Sequence, residues 1–164
     1  LNKLVYFAQA WSLAKLGRPL FEEDAQAWQH GPVIPSVYRA FSPCGRERIS
    51  ETAGEYDDSK YSEEERDLLL DVTEKYCSYS ALGLRDLTHK KGSAWSQTYS
   101  EAKTNKIPKD LIKEDVKGDH LDSFNDHMDE IAAKIPIEGY RNEQGKLVLP
   151  TDPYPEWDDD HDRC

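Results

Sequence analysis

Apolar side chains recur at helical spacing in one segment after another, and each segment is closed by glycine or proline. Leu4, Phe7, Ala8, Trp11 and Ala14 fall on one stripe, and Gly17-Arg18-Pro19 stops the helix that carries them. Val33, Val37, Tyr38 and Phe41 predict a second, shorter helix after Gly31-Pro32, with Pro35 in its first turn, where the missing N–H costs nothing. Ser62 and Glu65 have the spacing of a capping box, opening a helix through Leu68, Leu69, Val72 and Tyr76 to about Cys77. Ser80 can cap a helix with Leu84 and Leu87 on one face, ending at His89-Lys90-Lys91. Ala94-Trp95 and Pro108 start further short turns. A last helix is expected from Asp119 to about Lys134, with Leu121, Phe124, Met128, Ile131 and Ile135 as its buried stripe.

Strand signals are weak by comparison. Two short extended pieces are expected between Leu20 and Trp28, around the acidic Glu22-Glu23-Asp24, which reads as a solvated turn. Residues 43–60 read as a long loop with a short strand near Ile49. Residues 140–149 read as a hairpin with a glycine-containing turn. The expected fold is mainly α, a single compact helical domain with a small β element and an acidic C-terminal extension.

Charge is unevenly placed. The chain has 164 residues and a net charge of −11. Residues 119–164 hold four basic and thirteen acidic side chains, a net −9, whereas the rest is close to neutral. Phosphate backbones repel such a region, so sequence-independent nucleic-acid binding is disfavoured, while a basic protein partner suits it. The competing reading is that the acidity only keeps a small protein soluble. Asp122, Asp126 and Asp129 on the last helix, with Trp157 and Asp158-Asp159-Asp160 beyond it, are the candidate partner-binding residues. A tail rich in proline and acid is expected to be poorly ordered alone, so Trp157 would have nothing of its own to bury against and would serve as an anchor.

No catalytic or metal-binding constellation stands out. Cys44, Cys77 and Cys164 form neither a CxxC pair nor a disulfide framework, and fit a reducing cytoplasm. His120 and His127 lie two helical turns apart, roughly 10 Å of rise, too far for one ion. Asp158 to Asp162 with His161 form a solvated acidic run and do not supply a fixed shell of ligands. Cys44, His30 and His89 offer a nucleophile–base pairing only of the kind that chance supplies, and no GxSxG, P-loop, GxGxxG or HExxH motif occurs. The reading is therefore no enzyme, no metal and no cofactor. No apolar run approaches the roughly 18 residues of a membrane span, and no basic segment followed by an apolar signal core is visible.

The aromatic residues carry a more specific signal. Trp11, Trp28 and Trp95, with Tyr6, Phe7, Tyr38 and Tyr76, read as a rich core. Several of them lie within three ordered blocks. The first is Lys3-Leu4-Val5-Tyr6-Phe7-Ala8-Gln9-Ala10-Trp11, continuing through Gly17-Arg18-Pro19-Leu20-Phe21. The second is Ala27-Trp28-Gln29-His30-Gly31-Pro32-Val33-Ile34-Pro35-Ser36-Val37-Tyr38. The third is Tyr79-Ser80-Ala81 with Leu84, Leu87-Thr88-His89 and Trp95. In order and spacing these blocks resemble the Panacea domain of SocA-like antitoxins, found also in proteins of phages and other mobile elements, over roughly residues 1–115. The resemblance implies a mostly helical domain that neutralises a cognate toxin by direct protein contact, and it offers no catalytic residue to carry over. An adaptor or regulator of a mobile element, delivering a partner to other machinery, is the alternative. The expected organisation is a Panacea domain over 1–117, a C-terminal helix with a hairpin packed on it over 118–149, and an acidic tail over 150–164.

Overall fold

The computed structural model describes residues 1–45, 49, 57–101, 105–134, 140–141 and 147–148. The chain divides into two compact units, Leu1–His127 and Met128–Cys164. Among the described residues there are seven α-helices and two small sheets, so the protein is mainly α with a minor β component.

Helix α1 (Asn2–Trp11) is the axis of the first unit. Tyr6 through Trp11 are buried on every side, because α3 (Glu63–Cys77), α4 (Ala81–Thr88), α6 (Lys109–Glu114) and the first sheet all pack around it. Its continuation, Ser12–Leu16, is a π-helical turn that ends at Gly17, whose φ of +68° is the left-handed conformation glycine adopts without strain. The π turn takes up an extra residue, which rotates the side chains beyond it about the helix axis. Leu13 and Leu16 therefore pack on the core, and Ala14, expected on the buried stripe, is exposed.

A helix buried all round cannot leave its polar side chains unpaired. Gln9, 1% exposed, donates to the carbonyl of Phe21 (2.9 Å) and accepts from the amides of Leu20 (2.8 Å) and Phe21 (3.3 Å). Ser12 donates to the carbonyl of Arg18 (2.8 Å). Together they hold the returning chain at residues 18–21 against the helix. Tyr6 donates to Asp115 (2.6 Å), and the other oxygen of that carboxylate accepts the amide of Ala94 at the start of α5 (Ala94–Thr98) (2.7 Å). Burial raises the Asp115 pKa, although both hydrogen bonds favour its charged form. Trp11 donates to the Tyr76 hydroxyl (3.1 Å), and Phe7 stacks on the Tyr76 ring at 4.5 Å. Burial pushes the Tyr76 pKa up to about 12.

The first sheet has the order β2-β1-β3, all antiparallel: β1 (Gln26–Trp28), β2 (Gly31–Val33) and β3 (Asn105–Lys106). The extended pieces predicted within Leu20–Trp28 thus reduce to β1, whose partners are β2 and a strand almost eighty residues away. Glu22 and Asp24 are not merely solvated: they pair with Lys109 (3.0 Å) and Lys106 (2.7 Å). Helix α2 (Pro35–Phe41) has Pro35 at its first position, as expected. The Ser62–Glu65 capping box is formed in both directions, and Ser80 accepts the amide of Gly83 (3.1 Å) to cap α4. Most of the predicted 43–60 loop lies outside the described residues.

Helix α7 runs from Phe124 to Lys134, five residues shorter at its start than the periodicity predicts. The preceding stretch is held in non-helical form by tertiary contacts. Lys75 donates to the His120 carbonyl (2.5 Å), Lys15 to the Leu121 carbonyl (3.1 Å), and Leu121 is buried. Asp71 then accepts the Phe124 amide (2.9 Å) and Ser123 the Asp126 amide (3.2 Å), which sets the helix start. Met128 and Ile131, expected on a buried stripe, are 45% and 37% exposed. In the second unit, β4 (Tyr140–Arg141) pairs antiparallel with β5 (Leu147–Val148), Tyr140 opposite Val148, in the predicted hairpin; its turn lies outside the described residues.

Candidate functional site

The three motif blocks meet at Gly31. From α1, the Asn2 side chain accepts the Ile34 amide (2.8 Å) and the Lys3 ammonium donates to the Pro32 carbonyl (2.7 Å). These two bonds pin β2 across the start of the helix. Gly31 has a φ of +103°, and a Cβ placed there would lie 2.9 Å from Lys3 Cε and 3.0 Å from His89 Cε1. Only glycine allows the Lys3 stem and the His89 ring to close on this backbone.

His89 comes from the C-terminal end of α4. Its Nδ1 bonds the Arg85 carbonyl (2.7 Å), so Nδ1 carries the proton in the neutral ring and Nε2 is the unprotonated nitrogen. The Thr88 hydroxyl donates to the same carbonyl (2.7 Å). One face of His89 lies against Trp95 with ring centroids 3.9 Å apart, and Trp95 stacks on Tyr99 at 4.9 Å. The Trp95 indole donates to the Trp28 carbonyl (2.8 Å), which joins the second block to the third.

Trp28 departs from the core reading. It is half-buried: its ring meets Tyr38 edge-on at 4.9 Å, its indole donates to Gln26 (2.9 Å), and Tyr38 is 46% exposed. Trp95 and Tyr99 are likewise only partly buried. The reason is the strand alternation of β1. Ala27 points inward and is buried, so its neighbours Gln26 and Trp28 point the other way. The aromatic set therefore splits in two. Tyr6, Phe7, Trp11 and Tyr76 form the core, Trp95 and Tyr99 pack against it while staying partly exposed, and Trp28 and Tyr38 continue this partly open surface outside the core, next to Gly31.

The electrostatics of this surface are set by Lys3. Burial and the neighbouring Arg85 guanidinium press its pKa down to about 8. Neither Lys3 nor Arg85 stood out in the sequence. Lys3 lies within the first block, but its approach to Pro32 spans 29 residues and has no local signature.

The sequence-predicted site residues fall elsewhere. Asp122 precedes α7, exposed, with its carboxylate 2.9 Å from His120 Nε2. Asp126 and Asp129 are exposed on α7 itself. Asp122 therefore does not share the helix with the other two. Trp157, Asp158, Asp159 and Asp160 lie outside the described residues. Among the described residues, no group of three or more His, Cys, Asp or Glu side chains is placed to hold a metal ion, and Cys44 and Cys77 are free thiols. No helix among them is long and apolar enough to cross a membrane.

A family model described as antitoxin SocA-like, Panacea domain, matches residues 1–96, more than half of the chain and all three motif blocks. The chain belongs to this family. The matched stretch runs to one residue past Trp95 and takes in the whole Gly31 convergence except Tyr99. A curated relative, antitoxin SocA of Caulobacter vibrioides (strain NA1000 / CB15N), is 49% identical over 49 residues. That stretch is 30% of this chain and 26% of the relative, so the match spans about a quarter of that protein's length. No solved structure matches the chain.

Proposed function

We propose that this protein is the antitoxin of a toxin–antitoxin pair and neutralises its cognate toxin in the cytoplasm by direct protein contact, with no chemistry of its own. The observation that carries this reading is the Panacea match over residues 1–96, whose motif residues build a partly open aromatic surface around Gly31. The name of the curated relative, an antitoxin, supports it.

The acidic region adds a second contact in the same reading. Exposed Asp122, Asp126 and Asp129, with Trp157 and Asp158-Asp159-Asp160 further along the chain, suit a basic surface on the toxin. Charge of this kind acts mainly on the association rate and fades with salt, because the Debye length is about 8 Å at physiological ionic strength.

Co-expression with the neighbouring open reading frame tests the proposal. Growth rescue together with co-purification of the two chains is the expected result, and neither occurring would refute it. Replacing Asp122, Asp126 and Asp129 with Asn and removing residues 150–164 tests the acidic contact. Association should become slower and less salt-sensitive; unchanged kinetics across a salt series would reduce the acidic region to a solubility feature.

A further inference from the structure

Lys3 is a charged group in a place that disfavours charge. It sits in the first turn of α1, where the helix dipole is positive and no acidic residue offsets it. It is half-buried, and Arg85 adds a second positive charge. Among the described residues no carboxylate lies within ion-pair distance of it, and its hydrogen bond is to a neutral carbonyl, that of Pro32. A neutral donor could hold that carbonyl at lower cost, so the ammonium is not explained by the fold alone. Nearby are the Arg85 guanidinium, its partner Asp86 and the His89 ring. Asp86 is 3.4 Å from the Arg85 guanidinium and well exposed, where screening makes such a pair weak.

The surroundings of this charge have the composition of a binding surface. Trp95 is stacked on Tyr99 and set against His89, and its indole donates to the carbonyl of Trp28, whose own ring meets the exposed Tyr38. Partly open Trp and Tyr rings next to Arg are what dominates the energy of protein interfaces. An uncompensated cation among them calls for an anion supplied from outside.

We propose that the Lys3–Arg85–His89 cluster and its flanking rings are the docking site for an acidic segment of the partner protein. One carboxylate of that segment pairs with Lys3 and Arg85, and an adjacent apolar or aromatic side chain packs on Trp95, Trp28 and Tyr38. This deepens the antitoxin reading and rests on it, because it names the surface of the Panacea core that grips the partner. It is opposite in sign to the C-terminal region, so the two surfaces together select a partner that presents both charges in the matching arrangement.

The test uses the full chain with 15N-labelled tryptophan, titrated with a short peptide alternating glutamate and phenylalanine, with the same peptide carrying glutamine, and with inorganic phosphate. The glutamate peptide should move the indole signals of Trp28 and Trp95 saturably. The glutamine peptide should bind about tenfold more weakly, as should the glutamate peptide to Lys3→Met or to the exposed-face variant Arg85→Gln. Equal binding of both peptides, unchanged affinity in both variants, or saturation of the same signals by phosphate at the affinity of the peptide would each overturn the proposal. Its failure is separable from that of the antitoxin reading. Growth rescue without a peptide response sinks this surface alone, and a peptide response without rescue sinks the toxin assignment alone.

Discussion

Replacing Gly31 by alanine is expected to cost about 3–4 kcal/mol, from two separable sources. The first is the backbone: a φ of +103° is a conformation that costs a residue with a Cβ about 1–3 kcal/mol. The second is contact. The new methyl would lie 2.9 Å from Lys3 Cε and 3.0 Å from its Nζ, so the lysine must withdraw. Withdrawal breaks its 2.7 Å bond to the Pro32 carbonyl, a loss of about 1–2 kcal/mol for a hydrogen bond to a charged group. Urea unfolding followed by circular dichroism reads the total as a shift in midpoint at constant slope. A double-mutant cycle with Lys3→Ala then separates the parts. In the Lys3→Ala background Gly31→Ala should cost about 1 kcal/mol less, because the stem is no longer in the way. An equal cost in both backgrounds would refute Lys3 as the obstacle, and a total below about 1 kcal/mol would refute the strain as well. Gly83 is the internal control. It lies within α4, and a Cβ there would meet Tyr79 and Ser80 at ordinary distances of 3.4 and 3.5 Å. Gly83→Ala should therefore stabilise by about 0.5–1 kcal/mol through helix propensity.

The same geometry sets three further expectations. Trp11→Ala should cost about 3–5 kcal/mol by thermal denaturation, since the ring is 4% exposed and bonded to Tyr76, whereas Trp28→Ala, half-buried, should cost well under half as much; equal losses would contradict the placement of Trp28 at the surface. Gln9→Leu should cost about 3 kcal/mol or more, because it leaves the Phe21 carbonyl and the Leu20 and Phe21 amides without their partner, and near-neutral stability would show that water replaces it. The folded pKa of Lys3, about 8, lies below the ordinary 10.5, so between these values the unfolded chain binds more protons and stability rises with pH. Buried Tyr6 and Tyr76 have raised pKa values, so from about pH 10 the folded chain holds more protons and stability falls again. Equilibrium unfolding across pH 8–11 should show a maximum at about pH 9–10, and Lys3→Met should lack the rising limb; a rising limb that persists in Lys3→Met would assign it to another group.

The sequence by itself determined where helices start and stop whenever the signal is local. Ser62 and Glu65 three residues apart, Pro35 at a first turn, Ser80 ahead of α4 and Gly17 after α1 each act within one turn of backbone, and each is found in the role its spacing implies. The three motif blocks were equally legible, because a family pattern is a matter of order and residue type. What lay beyond the sequence depends on contacts between distant segments. Periodicity said which residues share a face and not what covers it, so Met128 and Ile131 are exposed, and a π turn takes Ala14 off the core face. The start of α7 lies at Phe124 because Lys15, Asp71 and Lys75, up to 106 residues earlier, hold residues 120–124. Trp28 looked like core by its size, but the register of β1 between β2 and β3 turned it outward. The meeting of Lys3, Gly31 and His89 was decided last of all, since a lysine, a glycine and a histidine separated by 28 and 58 positions become one site only when β2 is laid across the start of α1 and α4 closes over it.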